Sequence, residues 1–281
     1  MWIELKNKLM KKKKKYIIIA SLLIICMILC MWGNNHIVVS EYIYETEKIG
    51  EDLDGYKIVQ ISDLHNKRFG DNQKKLLSIV RDCQPNLIVI TGDLVDGNRT
   101  NIEKAIAFVE GAVSIAPVYY VTGNHEKWLE PEEYTELQHQ LLKAGAVWLD
   151  NEIVEITVGN ESFTLFGLDD SSLTNDTLKE LAKDAKKNLW ILLAHEPQNL
   201  KFYSNAGMDF VFSGHAHGGQ IRIPFIEGLI APDQGFFPEY TEGLYQSENT
   251  TMVVSRGLGN SILPVRIGNC PEIVCVEFVR K

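Results

Sequence analysis

Beyond a basic start and one long apolar run, the chain alternates short apolar runs with amphipathic stretches. "YKIVQIS" (56–62), "PNLIVITG" (85–92), "APVYYVTG" (116–123), "NLWILLAH" (188–195) and "MDFVFSGH" (208–215) read as strands. Each is short, rich in β-branched or aromatic residues, and bounded by turn formers. Between them, "DNQKKLLSIVRDCQ" (71–84), "TNIEKAIAFVEGA" (100–112), "PEEYTELQHQLLKAG" (131–145) and "TLKELAKDAKK" (177–187) read as helices, with Pro131 and Gly145 suited to the start and stop of the third. A "VGNES" turn joins two strands at about 152–158 and 162–168, and "TTMVVSRG" and "PEIVCVEFV" add two more. Residues 33–55 read as a short connecting stretch leading to a first strand. Strand–helix alternation predicts an α/β sheet covered by helices, and the later hairpins predict a second, mixed sheet packed on it. No repeat or long linker divides residues 41–281, which read as one domain.

The apolar run changes the picture at the N-terminus. "YIIIASLLIICMILCMW" (16–32) carries no charge, and no charge follows until after Ser40. A helix of that length spans roughly 30 Å, the thickness of a hydrocarbon core. It shows no polar face of the kind a globular surface helix needs. Residues 1–15 hold seven lysines and one glutamate, and lysine flanks resist translocation, so they are expected to stay cytoplasmic. The reading is a basic tail (1–15), a signal anchor (16–35) and an extracytoplasmic domain (41–281) on a single-pass membrane protein. A cleaved signal peptide fits less well, because no small-x-small site follows the run and neither Cys26 nor Cys30 has the small preceding residue of a lipoprotein signal.

Charge and cysteine narrow the class further. Without residues 1–15 the chain has 21 basic and 36 acidic residues, a balance of −15, which disfavours non-specific nucleic-acid binding. Five cysteines do not make a disulfide framework, and free thiols are expected.

The candidate chemistry sits at the strand ends. "YKIVQIS" leads to Asp63-Leu64-His65, "LIVIT" to Gly92-Asp93, and "VYYVT" to Gly123-Asn124-His125; "WILLA" leads to His195 and "DFVFSG" to His215-Ala216-His217. In open α/β sheets the ligand crevice lies outside the carboxyl ends of strands. In extended backbone residues i and i+2 point the same way, so Asp63 with His65, and His215 with His217, could each address one ion. Adjacent residues point apart, so Asn124 could offer its amide oxygen to a metal while His125 faces substrate. Asp93 has two oxygens and could bridge. Any one of these signals is weak: Gly-Asp is common in turns, and a lone histidine is usually a surface or core residue, the reading given to His36 and His139. Five together, each closing an apolar strand, are not expected of a purely structural arrangement.

The string "DLH…GDL…GNHE…H…GHAHGGQ" resembles the calcineurin-like metallophosphoesterase superfamily over roughly residues 56–281. The "GGQ" extension and the tail "VVSRGLGNSILPVRIGNCPEIVCVEF" look like its membrane-associated bacterial phosphodiesterase branch, which also includes a UDP-2,3-diacylglucosamine pyrophosphatase. The resemblance implies a four-layer α/β/β/α sandwich. It implies that Asp63, His65, Asp93 and His217 hold one metal, that Asp93, Asn124, His195 and His215 hold the other, and that His125 is the substrate-facing catalytic histidine. It thus separates His215 from His217, which spacing alone would pair.

Donors of Asp, Asn and imidazole type suit two divalent ions such as Mn, Zn or Fe. Such a pair lowers the pKa of a shared water, and the resulting bridging hydroxide attacks phosphorus in line. The expected activity is metal-dependent hydrolysis of a phosphodiester or pyrophosphate bond in a lipid or envelope-related substrate. A phosphomonoesterase or protein phosphatase of the same fold is the alternative, and a non-catalytic metal-binding scaffold is a more distant one.

Overall fold

A computed structural model describes residues 2–169, 175–223, 226–260 and 265–281. Residues 261–264 of the tail motif lie outside the described residues. Helix α1 (Trp2–Asn35) absorbs both the lysine tail and the apolar run, and β1 (Val38–Thr46) follows after two residues. The first half continues with β2 (Tyr56–Ile61), α2 (Lys74–Asp82), β3 (Leu87–Thr91), α3 (Ile102–Ala112), β4 (Val118–Val121), the short α4 (Asn124–Lys127), α5 (Pro131–Ala144) and β5 (Val147–Trp148). The second half has β6 (Glu152–Val158), β7 (Glu161–Gly167), α6 (Asn175–Asp184), β8 (Leu189–Leu193), α7 (Leu200–Asn205) and β9 (Phe210–Ser213). Two small hairpins follow, β10 (Arg222–Ile223) with β11 (Ile226–Gly228), and β12 (Ile230–Ala231) with β13 (Gly235–Phe236). The chain closes with β14 (Gly243–Ser247), β15 (Thr250–Val254) and β16 (Glu272–Arg280).

These strands form two six-stranded sheets, in orders β1-β16-β2-β3-β4-β5 and β14-β15-β9-β8-β7-β6. Their inner faces meet in a dry layer that includes Val89 and Val276 of the first sheet and Phe163 and Phe212 of the second. The outer face of the first sheet is covered by α2, α3 and α5. On α3, Ala105, Phe108, Val109 and Ala112 are all buried, the i, i+3, i+4, i+7 stripe of a helix laid on a sheet. Helix α5 has Pro131 in its first turn and ends at Gly145, whose φ of 99° suits glycine. The outer face of the second sheet packs against α6 and α7 through Leu178, Leu200 and Tyr203. The result is the four-layer α/β/β/α sandwich.

Two features depart from the sequence reading. Residues 38–46, read as connecting chain, form an edge strand parallel to β16. The C-terminal β16 inserts between β1 and β2, antiparallel to β2, so the last strand of the chain braces the first sheet. The expected free thiols are found at Cys30, Cys83, Cys270 and Cys275, and of the surface or core reading given to His36 and His139 the structure shows the surface one.

Candidate metal centre

The carboxyl ends of β2, β3, β4, β8 and β9 lie together, and the loops leaving them bond across the gap between the sheets. The Asp63 and His65 amides donate to the Gly92 and Asp93 carbonyls at 3.1 and 3.0 Å, extending the β2–β3 pairing past the strands. From the other sheet, the His215 amide donates to the Asp63 carboxylate at 3.1 Å, and the His195 ring reaches the Thr91 carbonyl at 2.7 Å. Gln60 bonds both to Thr91 and to the Ser213 carbonyl, at 2.8 Å each. The site is a seam between two rigid layers. Gly92 is required there: its φ is 85°, and a Cβ would meet Gly123 and the His195 ring at 2.7 Å.

All seven expected metal ligands and His125 converge on this seam. Asp63, His65, Asp93 and His217 form one group of donor atoms, and Asp93, His195 and His215 a second. Around the first, His65 Nε2 is 3.2 Å from His217 Nε2 and 3.4 Å from Asp93 Oδ2, and His217 Nε2 is 3.5 Å from Asp63 Oδ1. Around the second, His195 Nε2 is 3.2 Å from Asn124 Oδ1, 3.2 Å from His215 Nδ1 and 3.3 Å from Asp93 Oδ2. One oxygen, Asp93 Oδ2, thus faces both groups. The other, Oδ1, accepts the His125 amide at 2.9 Å, which fixes the carboxylate's direction.

The expectation that i, i+2 pairs aim together is met by Asp63 and His65, which share a donor group, and is corrected for His215 and His217; the premise of extended backbone is corrected for both pairs. Asp63, His65, Asp93, His215 and His217 all have positive φ, between 43° and 64°. Left-handed backbone at non-glycine residues is uncommon and costs free energy, and it concentrates at functional sites. With strand alternation gone, His215 and His217 address different groups, as the family resemblance implies and the spacing rule does not.

In the second group, hydrogen bonding selects the tautomers of the neutral rings. A carbonyl only accepts, so His195 Nδ1 donates to Thr91, and in the neutral ring Nε2 then presents a lone pair. His215 Nε2 lies 2.9 Å from Asp233 Oδ2, so it donates there and leaves Nδ1 bare. Four acceptor atoms, from His195, His215, Asn124 and Asp93, then face one another with no proton among them. That arrangement repels itself unless a cation lies between, so the residues fit a metal ion. The charge states agree. Burial lowers His65 to about 3 and His215 to about 4, and holds His217 well below its usual value, so these rings stay neutral. Burial pushes Asp63 up to about 6.

Four supporting residues escaped the sequence reading. Glu126 is buried, and its carboxyl accepts the amides of Asp93 and Gly123 at 2.8 Å each and of Val95 at 3.3 Å. Burial and then the charge of Asp93 push it up to about 8. Asp96 lies 3.6 Å from His125 Nδ1. Asp233 orients His215 from a distant hairpin, and the buried Arg266 places its guanidinium 3.4 Å from His217 Nδ1. Glu126 closes the quoted "GNHE", Asp96 stands two residues past "GDL", and Arg266 lies within the quoted tail, so these could have been noticed; nothing local marks Asp233.

The family model for calcineurin-like phosphoesterases matches residues 56–219, which contain every one of the proposed ligands. The chain is a calcineurin-like phosphoesterase. As a member of this family it is a hydrolase of phosphoric esters, and the family works with two divalent metals. Among its relatives, the phosphoesterase is 31% identical over 244 residues to the metallophosphoesterase YkuE of Bacillus subtilis, covering 84% of each chain. It is 27% identical over 232 residues to the phosphodiesterase YaeI of Escherichia coli, covering 80% of this chain and 82% of that one. A transmembrane protein with metallophosphoesterase domain from Danio rerio is 29% identical over 245 residues, covering 81% of this phosphoesterase and 54% of the relative.

Proposed function

We propose that the protein hydrolyses a phosphodiester or pyrophosphate bond in a lipid or envelope-related substrate, at a centre built from two donor sets that share Asp93. Asp63, His65, Asp93 and His217 would hold one ion, and Asp93, Asn124, His195 and His215 the other. The observation that carries this reading is the single oxygen of Asp93, 3.4 Å from His65 Nε2 and 3.3 Å from His195 Nε2. When bound, the ions supply Lewis acidity toward phosphoryl oxygens and lower the pKa of water.

The chain's own residues do the rest. Gly97 donates its amide to His125 Nδ1 at 3.1 Å, so that nitrogen accepts and the neutral ring keeps its proton on Nε2. His125 is thereby a donor to the developing charge on a phosphoryl or leaving oxygen. Its ring packs at 4.5 Å from His65, which places it beside the first donor set. Thr91, Asp233 and Glu126 hold tautomers and backbone in place without touching substrate.

The preference for a diester is supported by the name phosphodiesterase borne by the Escherichia coli relative, and the preference for a lipid or envelope substrate by α1. Purified full-length protein in detergent, loaded with Mn²⁺, should cleave bis(p-nitrophenyl) phosphate faster than p-nitrophenyl phosphate, and lose both activities with its metal on chelation. Activity on the monoester alone would assign a phosphomonoesterase. Activity that persists in verified metal-free protein would defeat the two-metal reading.

A further inference from the structure

Beyond α1, the large apolar side chains left exposed include Trp128, Phe236, Phe237, Val265 and Ile267, between 43% and 72% exposed. Trp128 touches His125 at the metal centre, and the other four stand near Asp233 or Arg266 along the chain; Ile43, Leu142, Val147 and Leu244 are exposed as well. The Trp128 ring lies 4.3 Å from that of His125. Phe236 and Phe237 belong to the β12–β13 hairpin region, whose turn carries Asp233 against His215. Val265 and Ile267 flank Arg266, which touches His217. A site for a hydrated anion gains nothing from an exposed apolar and aromatic border, so the border needs a reason of its own.

The end of α1 supplies that reason. Met10–Asn35 is long and apolar enough to cross a membrane, and its apolar window is not buried against the rest of the protein. It ends in the catalytic domain's own hydrogen-bond network. Asn34 donates to the Arg266 carbonyl at 3.0 Å and accepts the Arg266 amide at 2.9 Å and the Asn260 amide group at 3.1 Å. The Asn34 and Asn35 carbonyls accept from Lys67 and Lys75. Only His36 and Ile37 separate α1 from β1; His36 stacks on Trp32 at 4.5 Å and Ile37 is buried. The connection has no slack. The helix therefore fixes which face of the domain meets the membrane, and that face is the one bearing Arg266 and its apolar neighbours. Along the chain, residues 67–75 carry Lys67, Arg68, Lys74 and Lys75 with one acid, Asp71, in a body that is otherwise strongly acidic, and Lys67 and Lys75 meet the end of α1. Such a patch suits anionic headgroups.

We propose that the mouth of the metal centre rests in the surface of the membrane that α1 enters, with Trp128, Phe236, Phe237, Val265 and Ile267 in the headgroup layer, and that the ester it takes is one presented at that lipid surface. The proposal rests on the phosphoesterase reading above and adds an orientation to it. Aromatic side chains favour the headgroup level, where a ring can be half in hydrocarbon and half in water. A rigidly held mouth spares a lipid substrate from leaving the bilayer.

The test uses full-length protein in vesicles of phosphatidylcholine and phosphatidylglycerol whose acyl chains are brominated. Trp128 emission is the difference between the wild type and Trp128→Phe. It should be blue-shifted and lose about half its intensity relative to unbrominated vesicles, as for a ring at the lipid interface. Phe237→Trp on the Trp128→Phe background gives a second probe at another point of the border, with the same result expected. Emission untouched by bromine but quenched by aqueous iodide would put the mouth in water and overturn the proposal. Emission shielded from both quenchers would show the border covered by a second copy of the chain and would overturn it equally. Turnover of bis(p-nitrophenyl) phosphate in the same vesicles reads the chemistry separately. Turnover without quenching removes the membrane-facing mouth alone, and quenching without turnover removes the phosphoesterase reading on which it rests.

Discussion

A backbone amide fixes where the neutral His125 ring carries its proton. Because Gly97 N–H can only donate, Nδ1 is the acceptor and Nε2 the donor, and an ordinary imidazole becomes an acid aimed by the main chain. Its side chain is absent from both donor groups, so its loss should spare the metals. His125→Ala should lower turnover about 10²–10⁴-fold, with metal content unchanged by elemental analysis; loss of metal in this variant would reassign the residue as a ligand. Asp233 acts one bond further out, by holding the His215 proton on Nε2. Outer partners of metal-bound histidines are typically worth about 10–100-fold in metal affinity or activity. Asp233→Ala should weaken metal binding by that factor in a competition titration, and Asp233→Asn, which still offers an acceptor oxygen, should lose less. Equal affinities in all three proteins would show that the contact does nothing.

At the scale of elements, the boundary between α1 and the domain is a joint, and Asn34 is its pin. The Asn34 side chain pairs with both the amide and the carbonyl of Arg266, as a neighbouring strand would. Leaving those partly buried groups unpaired costs roughly 1–3 kcal/mol. Asn34→Ala should therefore lower the stability of the detergent-solubilised protein by about that amount in urea unfolding, whereas Asn35→Ala, whose side chain donates to Met31 within the helix, should be nearly neutral. A neutral Asn34→Ala would mean the joint is loose. The same boundary hid β1 from the sequence reading. Val38–Thr46 has exposed or half-buried positions along most of its length, because it is an edge strand with only β16 beside it. Edge strands lack the continuous apolar run that announces a central one.

For the whole molecule, the lysine-rich start of α1 and its apolar continuation support a proposed direction across a membrane. The proposed orientation keeps Lys11–Lys15 in the cytoplasm and the catalytic domain outside. Protease added to cells stripped of their wall should digest the domain while the membrane is intact. A domain protected until lysis would reverse the orientation and move the substrate to the cytoplasmic leaflet.

Local chemistry was readable from the chain because strands and helices announce themselves by apolar period, and because each proposed ligand closes an apolar run. The motif string was enough to name all seven ligand candidates and His125. Side-chain direction was not readable, since five of those ligands sit in left-handed backbone where strand alternation no longer holds. Nor were the long-range supports. Arg266 lies 49 residues from the His217 it touches and Asp233 lies 18 from His215, in segments with no periodic pattern. The placement of β16 between β1 and β2, and the docking of Asn34 beside Arg266, join residues more than 200 positions apart. Sequence pattern reports which surface a residue prefers, buried or wet, along its own element. Which elements meet is decided by how two twisted sheets pack and by where buried polar groups find partners, and those are properties of the closed fold.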